Sequence, residues 1–428
     1  MPKFENTLAF AQQQDEADVL NNYKNQFHIP QKNGQPVVYF CGNSLGLQPK
    51  NTKQIIDNEL ENWATLGVEG HFLGTDPWAT YHLKFRKLLS PLVGALPHEV
   101  VAMNSLTANL HLMLQTFYKP TAKKFKIITE ARNFSSDIYA LRSQVALHGL
   151  NPDEVIIEIG DKSGTELVDE LDIIAAIQEH GDSVALVLLS SVNYYTGQLL
   201  QLPAIAIATH AANAVIGLDL AHAIGNVNMQ LHDWQIDFAV WCSYKYLNSG
   251  PGGVGGLYVH EKHTTDANLI RPAGWWGNRA EDRFQMNKQF HPSLDVDGFQ
   301  LSNAPVLSMA AHHAALQLFE QATIEAVVQK SQMLTGFLEF LIQENCTQVD
   351  APFQIQIITP CSPLARGAQL SIAVKNDGKK LFELISEAGF VVDLRSDKVI
   401  RISPAPLYNG YVEVYRLVQL LSKFARLR

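Results

Sequence analysis

Trp241-Cys242-Ser243-Tyr244-Lys245-Tyr246-Leu247-Asn248-Ser249-Gly250-Pro251-Gly252-Gly253 carries a single lysine out of an apolar run and into a glycine-rich loop. Upstream, Phe238 to Trp241 reads as a buried strand, and downstream the glycines and proline forbid a helix. Lys245 therefore stands where a ligand or another backbone segment can approach closely. A surface lysine with its stem on the apolar run would satisfy the same pattern. A second stretch, Val215-Ile216-Gly217-Leu218-Asp219-Leu220-Ala221-His222, argues for chemistry instead. It is another apolar strand, ending in a carboxylate, with a histidine three residues on. A lysine able to form an imine with an aldehyde, and an aspartate facing a pyridine nitrogen, are the two groups that pyridoxal 5'-phosphate requires. The aspartate keeps the ring nitrogen protonated, so that the ring can accept electrons from a substrate carbanion.

The 428 residues exceed what one hydrophobic core normally organises, so a large and a small domain are expected. With 46% hydrophobic and 18% charged residues the composition is that of an ordinary globular protein. The net charge of −9, without a basic run, excludes a nucleic-acid surface. Four cysteines (Cys41, Cys242, Cys346 and Cys361) are scattered without a C-x-x-C pair. That spacing offers neither a zinc site nor a disulfide framework, no metal is expected, and a cytoplasmic location fits best. The N-terminus lacks the basic start and apolar core of a secretory signal, and no apolar run is long enough for a bilayer.

In chain order, residues 1–35 read as a mostly helical polar arm. A strand at 37–40 enters Cys41-Gly42-Asn43-Ser44-Leu45-Gly46-Leu47, a turn whose glycines let backbone sit close to a ligand. A helix over 50–66 carries Ile55, Ile56, Leu60 and Trp63 at helical spacing. Ser105 and Thr107, ahead of Leu110, Met113 and Leu114, mark a helix start, and a helix N-terminus with hydroxyls is a ready anion site. From 126 onward, strands at 127–129, 155–159, 184–189, 215–220, 238–241 and 256–259 alternate with helices near 135–148, 167–180 and 203–213. Continuous apolar strands separated by helices predict an α/β fold with a mostly parallel sheet, whose ligands lie at the strand carboxyl ends. Asp219, Lys245 and the aromatic face of Phe134 all fall at such ends. After Pro305 two long helices (306–322 and 324–344) lead into strands at 355–358, 369–374, 391–394 and 399–402. Helices near 379–388 and 411–426 complete an α+β unit. The expected division is an arm at 1–35, a large cofactor-binding domain at 36–305 and a small C-terminal domain at 306–428. Arg395 and Arg401, beside strands of that unit, are candidate forks for a substrate carboxylate.

Taken together, six elements resemble the kynureninase family: Gly42-Asn43-Ser44-Leu45-Gly46-Leu47, Asn104-Ser105-Leu106-Thr107, Phe134-Ser135-Ser136-Asp137, Asp219-Leu220-Ala221-His222, Ser243-Tyr244-Lys245-Tyr246-Leu247-Asn248 and Gly274-Trp275-Trp276-Gly277. The resemblance runs from about residue 35 to the C-terminus and includes Arg401-Ile402-Ser403-Pro404-Ala405-Pro406-Leu407-Tyr408-Asn409. The tyrosine before the lysine and the Gly-Trp-Trp-Gly element are its most specific parts. It implies an aspartate aminotransferase-like fold with a seven-stranded-type sheet. It also implies hydrolysis of L-kynurenine to anthranilate and L-alanine in tryptophan catabolism, by a homodimer with shared active sites.

By match of motif, Leu106 and Thr107 would hold the phosphate region, Phe134 would stack on the ring, and Ser135, Ser136 and Asp137 would contact the cofactor. Asp219 would face the pyridine nitrogen and His222 the polar edge of the ring. Tyr244 would reach the phosphate, with Trp275 supplied by the partner subunit and Asn303 nearby. One of the adjacent Ser190 and Ser191 belongs to the set. The family often has proline where this chain has Ser135.

Chemically, Lys245 is the base at the α-carbon, Tyr244 the acid at the β-carbon, and Arg401 the anchor of the α-carboxylate, with Ser44 beside it. His71, Ser302 and Asn303 stand where the family distinguishes kynurenine from 3-hydroxykynurenine, and their polar groups predict acceptance of the hydroxylated substrate. Two other readings are a cysteine desulfurase or aminotransferase of the same fold, with Cys361 as the sole candidate thiol, and a non-catalytic protein that retains the cofactor fold.

Overall fold

The computed structural model describes residues 3–160, 164–346 and 353–426. Seven strands form one sheet: β1 (Val100–Ala102), β2 (Lys126–Glu130), β3 (Ile156–Ile159), β4 (Val184–Ser190), β5 (Val215–Asp219), β6 (Phe238–Trp241) and β7 (Gly256–Val259). Their spatial order is β1-β7-β6-β5-β4-β2-β3. The five from β6 to β3 run parallel, and β7 lies antiparallel between β6 and β1. This is the expected mostly parallel sheet. The edge strand at 100–102 is too short to be read from its valines alone.

Every residue of β4 and β6 is buried, because side chains alternate between two covered faces. Leu186 and Leu188 pack under the helices Leu106–Phe117 and Ser135–Leu147, with Leu110, Met113 and Leu141. Val187 and Leu189 point the other way, into a core shared with Phe85, Ile173, Ile205 and Met309. The carboxyl ends of β2, β4, β5 and β6 thus emerge side by side along one rim.

A second sheet takes β8 (Ile355–Ile357), β9 (Leu370–Val374), β10 (Asp393–Arg395) and β11 (Val399–Ile402), in the antiparallel order β8-β9-β11-β10. Helices Ile324–Asn345, Gly378–Glu387 and Tyr411–Arg426 belong to this part of the chain. Its core takes in Leu334, Phe337, Leu370, Ile402, Val414 and Leu417, together with Ala11, Val38 and Phe40 from the start of the chain. The run expected as one strand over 391–394 divides in two. Phe390–Val391 pairs in parallel with Val38–Tyr39, while Asp393–Arg395 pairs with β11. Helix Val306–Ala322 contributes Met309, Leu316 and Phe319 to the core of the large sheet. Asp15 caps the last helix, its carboxylate accepting from the backbone N–H groups of Tyr411 (2.6 Å) and Val412 (3.0 Å).

The helix Thr52–Leu66 forms as its spacing predicts, but it buries Thr52 and Glu59. Ile55 and Ile56 of its apolar stripe are half-buried, but the stripe's other half points outward, leaving Leu60 42% and Trp63 62% exposed.

Candidate active site

The loop after β6 is held by its own polar groups. Ser243 Oγ bonds Ser249 Oγ (2.5 Å) and the Val254 carbonyl. Asn248 takes a left-handed φ of 56° and returns its side-chain amide to the Tyr246 carbonyl at 2.9 Å. The early turn docks on this loop, with Gly46 N–H donating to the Tyr244 carbonyl at 2.8 Å. A Cβ at Gly46 would lie 2.8 Å from Asn248 Cα, so close approach requires glycine there.

Lys245 opens into a cleft. Its walls include Leu106, Thr107, Phe134, Ser136, Ser190, Asp219, His222 and Tyr244, which sequence reading singles out. Lys245 Nζ stands 5.8 Å from the centre of the Phe134 ring. At one end lies the N-terminus of helix Leu106–Phe117, whose N-cap residue Ser105 makes no side-chain cap bond. First-turn N–H groups of a helix end of this kind attract anions. Beside it, the hydroxyls of Thr107 and Ser136 are 3.0 Å apart.

At the other end the groups are buried and acidic. Asp219 accepts the Ala221 N–H at 2.6 Å. Neither Asp137 oxygen has a hydrogen-bond donor among the described residues. Burial, then the charge of Asp219, pushes the Asp137 carboxyl well above its ordinary range. Burial, reinforced by the charge of Lys245, drives the His222 imidazole far below its ordinary range, and its Nδ1 has no partner among the described residues. Burial also raises the Tyr244 phenol, with its bond to Cys242 adding to the effect, so Tyr244 stays protonated.

These groups fit pyridoxal phosphate. The free helix end and hydroxyls suit a phosphate, Phe134 offers a ring face, and the buried carboxyls of Asp219 and Asp137 suit a cationic ring nitrogen.

Comparison with known proteins decides between the readings. A family profile described as Kynureninase C-terminal domain matches residues 327–421, and one described as Aminotransferase class-V matches residues 38–351. The kynureninase of Flavobacterium psychrophilum is 46% identical, with 98% of each chain covered. That of Myxococcus xanthus is 47% identical over 99% of this chain and 98% of its own. The chain belongs to the kynureninase family.

Solved structures share the fold at low identity. An apo cysteine desulfurase from Thermococcus onnurineus matches with a TM-score of 0.72 at 17% identity, covering 91% of this chain and 95% of its own. A C-DES mutant with glycine covalently linked to the PLP cofactor matches with a TM-score of 0.74 at 17% identity, covering 91% and 97%. Likeness at that level establishes the aspartate aminotransferase-like fold and nothing of the chemistry. The kynureninase reading is favoured over the desulfurase, and Cys361, though exposed, does not line the Lys245 cleft.

Other residues of the family motifs lie elsewhere in the single chain. Ser135 is exposed at the start of its helix, and Ser191 is buried behind the cleft wall, its N–H donating to the Asp219 carbonyl at 3.1 Å. Arg401 is 1% exposed and bonded to Asp393, Tyr194 and Ser44, so it is not an open fork. Ser302 and Asn303 are exposed, and Asn303 does not cap the following helix, whose N-cap position is Pro305. His71 and Trp275 meet in an aromatic patch outside the cleft. His71 packs on Trp78 (5.4 Å) and Phe72 (6.2 Å), Phe72 on Phe284 (6.2 Å), and Phe284 on Trp275 (5.5 Å).

Sequence reading overlooks Val192, Tyr194, Ala221 and Cys242, which also line the cleft. It overlooks Glu130 as well, whose carboxylate accepts the Ser190 N–H at 3.0 Å and also bonds the Ser190 hydroxyl. Position at the carboxyl end of a parallel strand is the signal that could have found Glu130.

Proposed function

We propose that the Lys245 cleft hydrolyses L-kynurenine, and 3-hydroxy-L-kynurenine, to anthranilate or 3-hydroxyanthranilate and L-alanine. The observation that carries this reading is the convergence of Lys245, Tyr244, Asp219 and His222 on one cleft in a chain 46% identical to a kynureninase. When bound, pyridoxal 5'-phosphate supplies the electron sink that lets the bond between Cβ and Cγ break. Lys245 holds the cofactor and then acts as the base at the substrate α-carbon. Water adds to the γ-carbonyl and its oxygen leaves with anthranilate. Tyr244 delivers the balancing proton to the β-carbon, a role that a phenol kept protonated by burial can fill. Asp219 would pair with the ring nitrogen and His222 would border the ring's polar edge. Leu106, Thr107, Ser136 and Ser190 would help hold the cofactor, and Arg401 with Ser44 would receive the α-carboxylate.

The working unit in this reading is a homodimer. Its support is the outward apolar stripe of Leu60 and Trp63, together with an exposed patch holding Phe72 and Phe284, each 58% exposed. Trp275, His71, Ser302 and Asn303 would then complete the partner's cleft, as Asp137 completes the chain's own. That none of the four cysteines is in a disulfide supports a cytoplasmic location. Among the described residues no helix is long and apolar enough to cross a membrane. Incubating the purified protein and cofactor with kynurenine tests the reading. Anthranilate fluorescence is expected, and its absence at saturating cofactor would overturn it.

A further inference from the structure

The N–H groups of Arg401 are divided unequally. Nε and Nη2 both reach Asp393 Oδ1, each at 2.9 Å. The remaining bonds go to neutral acceptors: Nη1 donates to the Tyr194 carbonyl at 2.7 Å, and Nη2 to the Ser44 hydroxyl at 3.2 Å. Tyr194 itself lines the Lys245 cleft, so the end of the fork lies directly behind the cleft wall. Asp393 also accepts from Ser44 Oγ (2.9 Å) and from Arg395 Nη2 (3.2 Å). Two guanidinium groups thus surround one carboxylate, leaving one positive charge unmatched. Burial pushes the Asp393 carboxyl up, but the bonds from Arg401 and the charges of both arginines outweigh it and hold it ionised.

We propose that Asp393 is a positioning residue for the substrate's α-carboxylate. It clamps one edge of the Arg401 guanidinium, and the carboxylate replaces the Tyr194 carbonyl and Ser44 hydroxyl at the other end. The exchange runs in that direction because bonds to an ionised acceptor are about twice as strong as bonds to a neutral one. The added carboxylate also balances the cluster's charge. Ser44, released from Arg401, keeps its bond to Asp393. The proposal rests on the reading of Arg401 as the carboxylate receptor.

The test compares holoenzymes of the wild type, Asp393→Asn, Asp393→Glu and Arg401→Lys. L-Alanine carries the α-carboxylate and anthranilate does not, so their inhibition constants separate the two ends of the site. Asp393→Asn should raise the KM for kynurenine and the Ki for L-alanine together, by about tenfold or more, as expected for a lost charged partner. The Ki for anthranilate, kcat and the absorbance of bound cofactor should change by less than about threefold. Asp393→Glu, which keeps the charge, should recover most of the alanine affinity. An unchanged alanine Ki overturns the clamp, and so does an equal weakening of alanine and anthranilate. If Asp393→Asn does not fold, Asp393→Glu decides: a modest rise for alanine alone supports the clamp, and both constants moving together overturn it. An unchanged alanine Ki in Arg401→Lys would instead remove the receptor reading. A loss in Arg401→Lys without one in Asp393→Asn would remove only the role of Asp393.

Discussion

Around Lys245 the polar groups are buried and face one another, whereas around Phe72 the aromatic rings stand in the open. Asp137, Asp219 and His222 are buried together, and both Asp137 oxygens and His222 Nδ1 lack partners among the described residues, the mark of a site shaped for a ligand. The patch of His71, Phe72, Phe284 and Trp275 is fastened by ring contacts, yet Trp275 is 48% exposed. Both regions carry motifs of the same family. The first region is enclosed by groups of one chain, and the second is an exposed aromatic surface of the kind that another surface covers. In the homodimer proposed above, the patch of one subunit would complete the cleft of the other.

Mixing two impaired variants bears on this difference most strongly. Lys245→Ala removes the base, and Trp275→Ala impairs the patch. If each site joins the cleft of one subunit to the patch of the other, a mixed dimer regains one intact site. Unfolding and refolding the two variants together at equal amounts should raise activity to about a quarter of the wild type, from the random pairing of subunits. Activity equal to the mean of the two parents would confine each site to one chain.

Within the cleft, Tyr244→Phe should retain bound cofactor, because Lys245 and Asp219 are untouched, while turnover falls by roughly 10²–10⁴-fold as for a lost general acid. Wild-type turnover in that variant would move the proton donor elsewhere. A smaller effect is expected at the patch. A site that hydrogen-bonds a hydroxyl loses on the order of 1–3 kcal/mol when the hydroxyl is missing. The protein should accept 3-hydroxykynurenine at least as well as kynurenine, and His71→Trp with Asn303→Thr should shift kcat/KM toward kynurenine. A strong preference of the unmodified protein for kynurenine would remove both residues from substrate reading.

The smallest effect concerns pH. Burial, against the bonds from Ser190, lifts the Glu130 carboxyl from 4.5 to about 7. An acid with a raised folded-state pKa contributes stability below its unfolded value and loses it as pH rises through its folded value. Glu130→Gln keeps an acceptor for the Ser190 N–H and does not titrate. The fall in Tm of the cofactor-free protein between about pH 5 and 8 should therefore be shallower in the variant. Parallel Tm curves would show that Glu130 does not titrate in this range.

What could be read from the chain follows from the range of the interactions involved. The parallel strands were legible because apolar runs such as Val184 to Leu189 are buried on both faces, and that burial writes itself into adjacent residues. Lys245 and Asp219 were legible because strand carboxyl ends gather at one rim. The outward stripe of Leu60 and Trp63 was not, since helical spacing marks an apolar face without naming what covers it. Nor could spacing foretell that residues 390–395 divide between two strand partners, or that Asp393 holds Arg401. Those pairings join segments far apart in sequence, and no local period records them. Sequence spacing could not separate Ser190 from Ser191; in the structure Ser190 lines the cleft and Ser191 is buried behind its wall.

If Lys245 alone bears the cofactor, reducing the holoenzyme with borohydride and mapping the pyridoxyl-modified peptide by mass spectrometry will show it. The modification should fall on Lys245 within the stretch from Trp241 to Gly253, and Lys245→Ala protein should carry none. A pyridoxyl group on any other lysine at comparable yield, or turnover surviving in Lys245→Ala, would place the cofactor elsewhere.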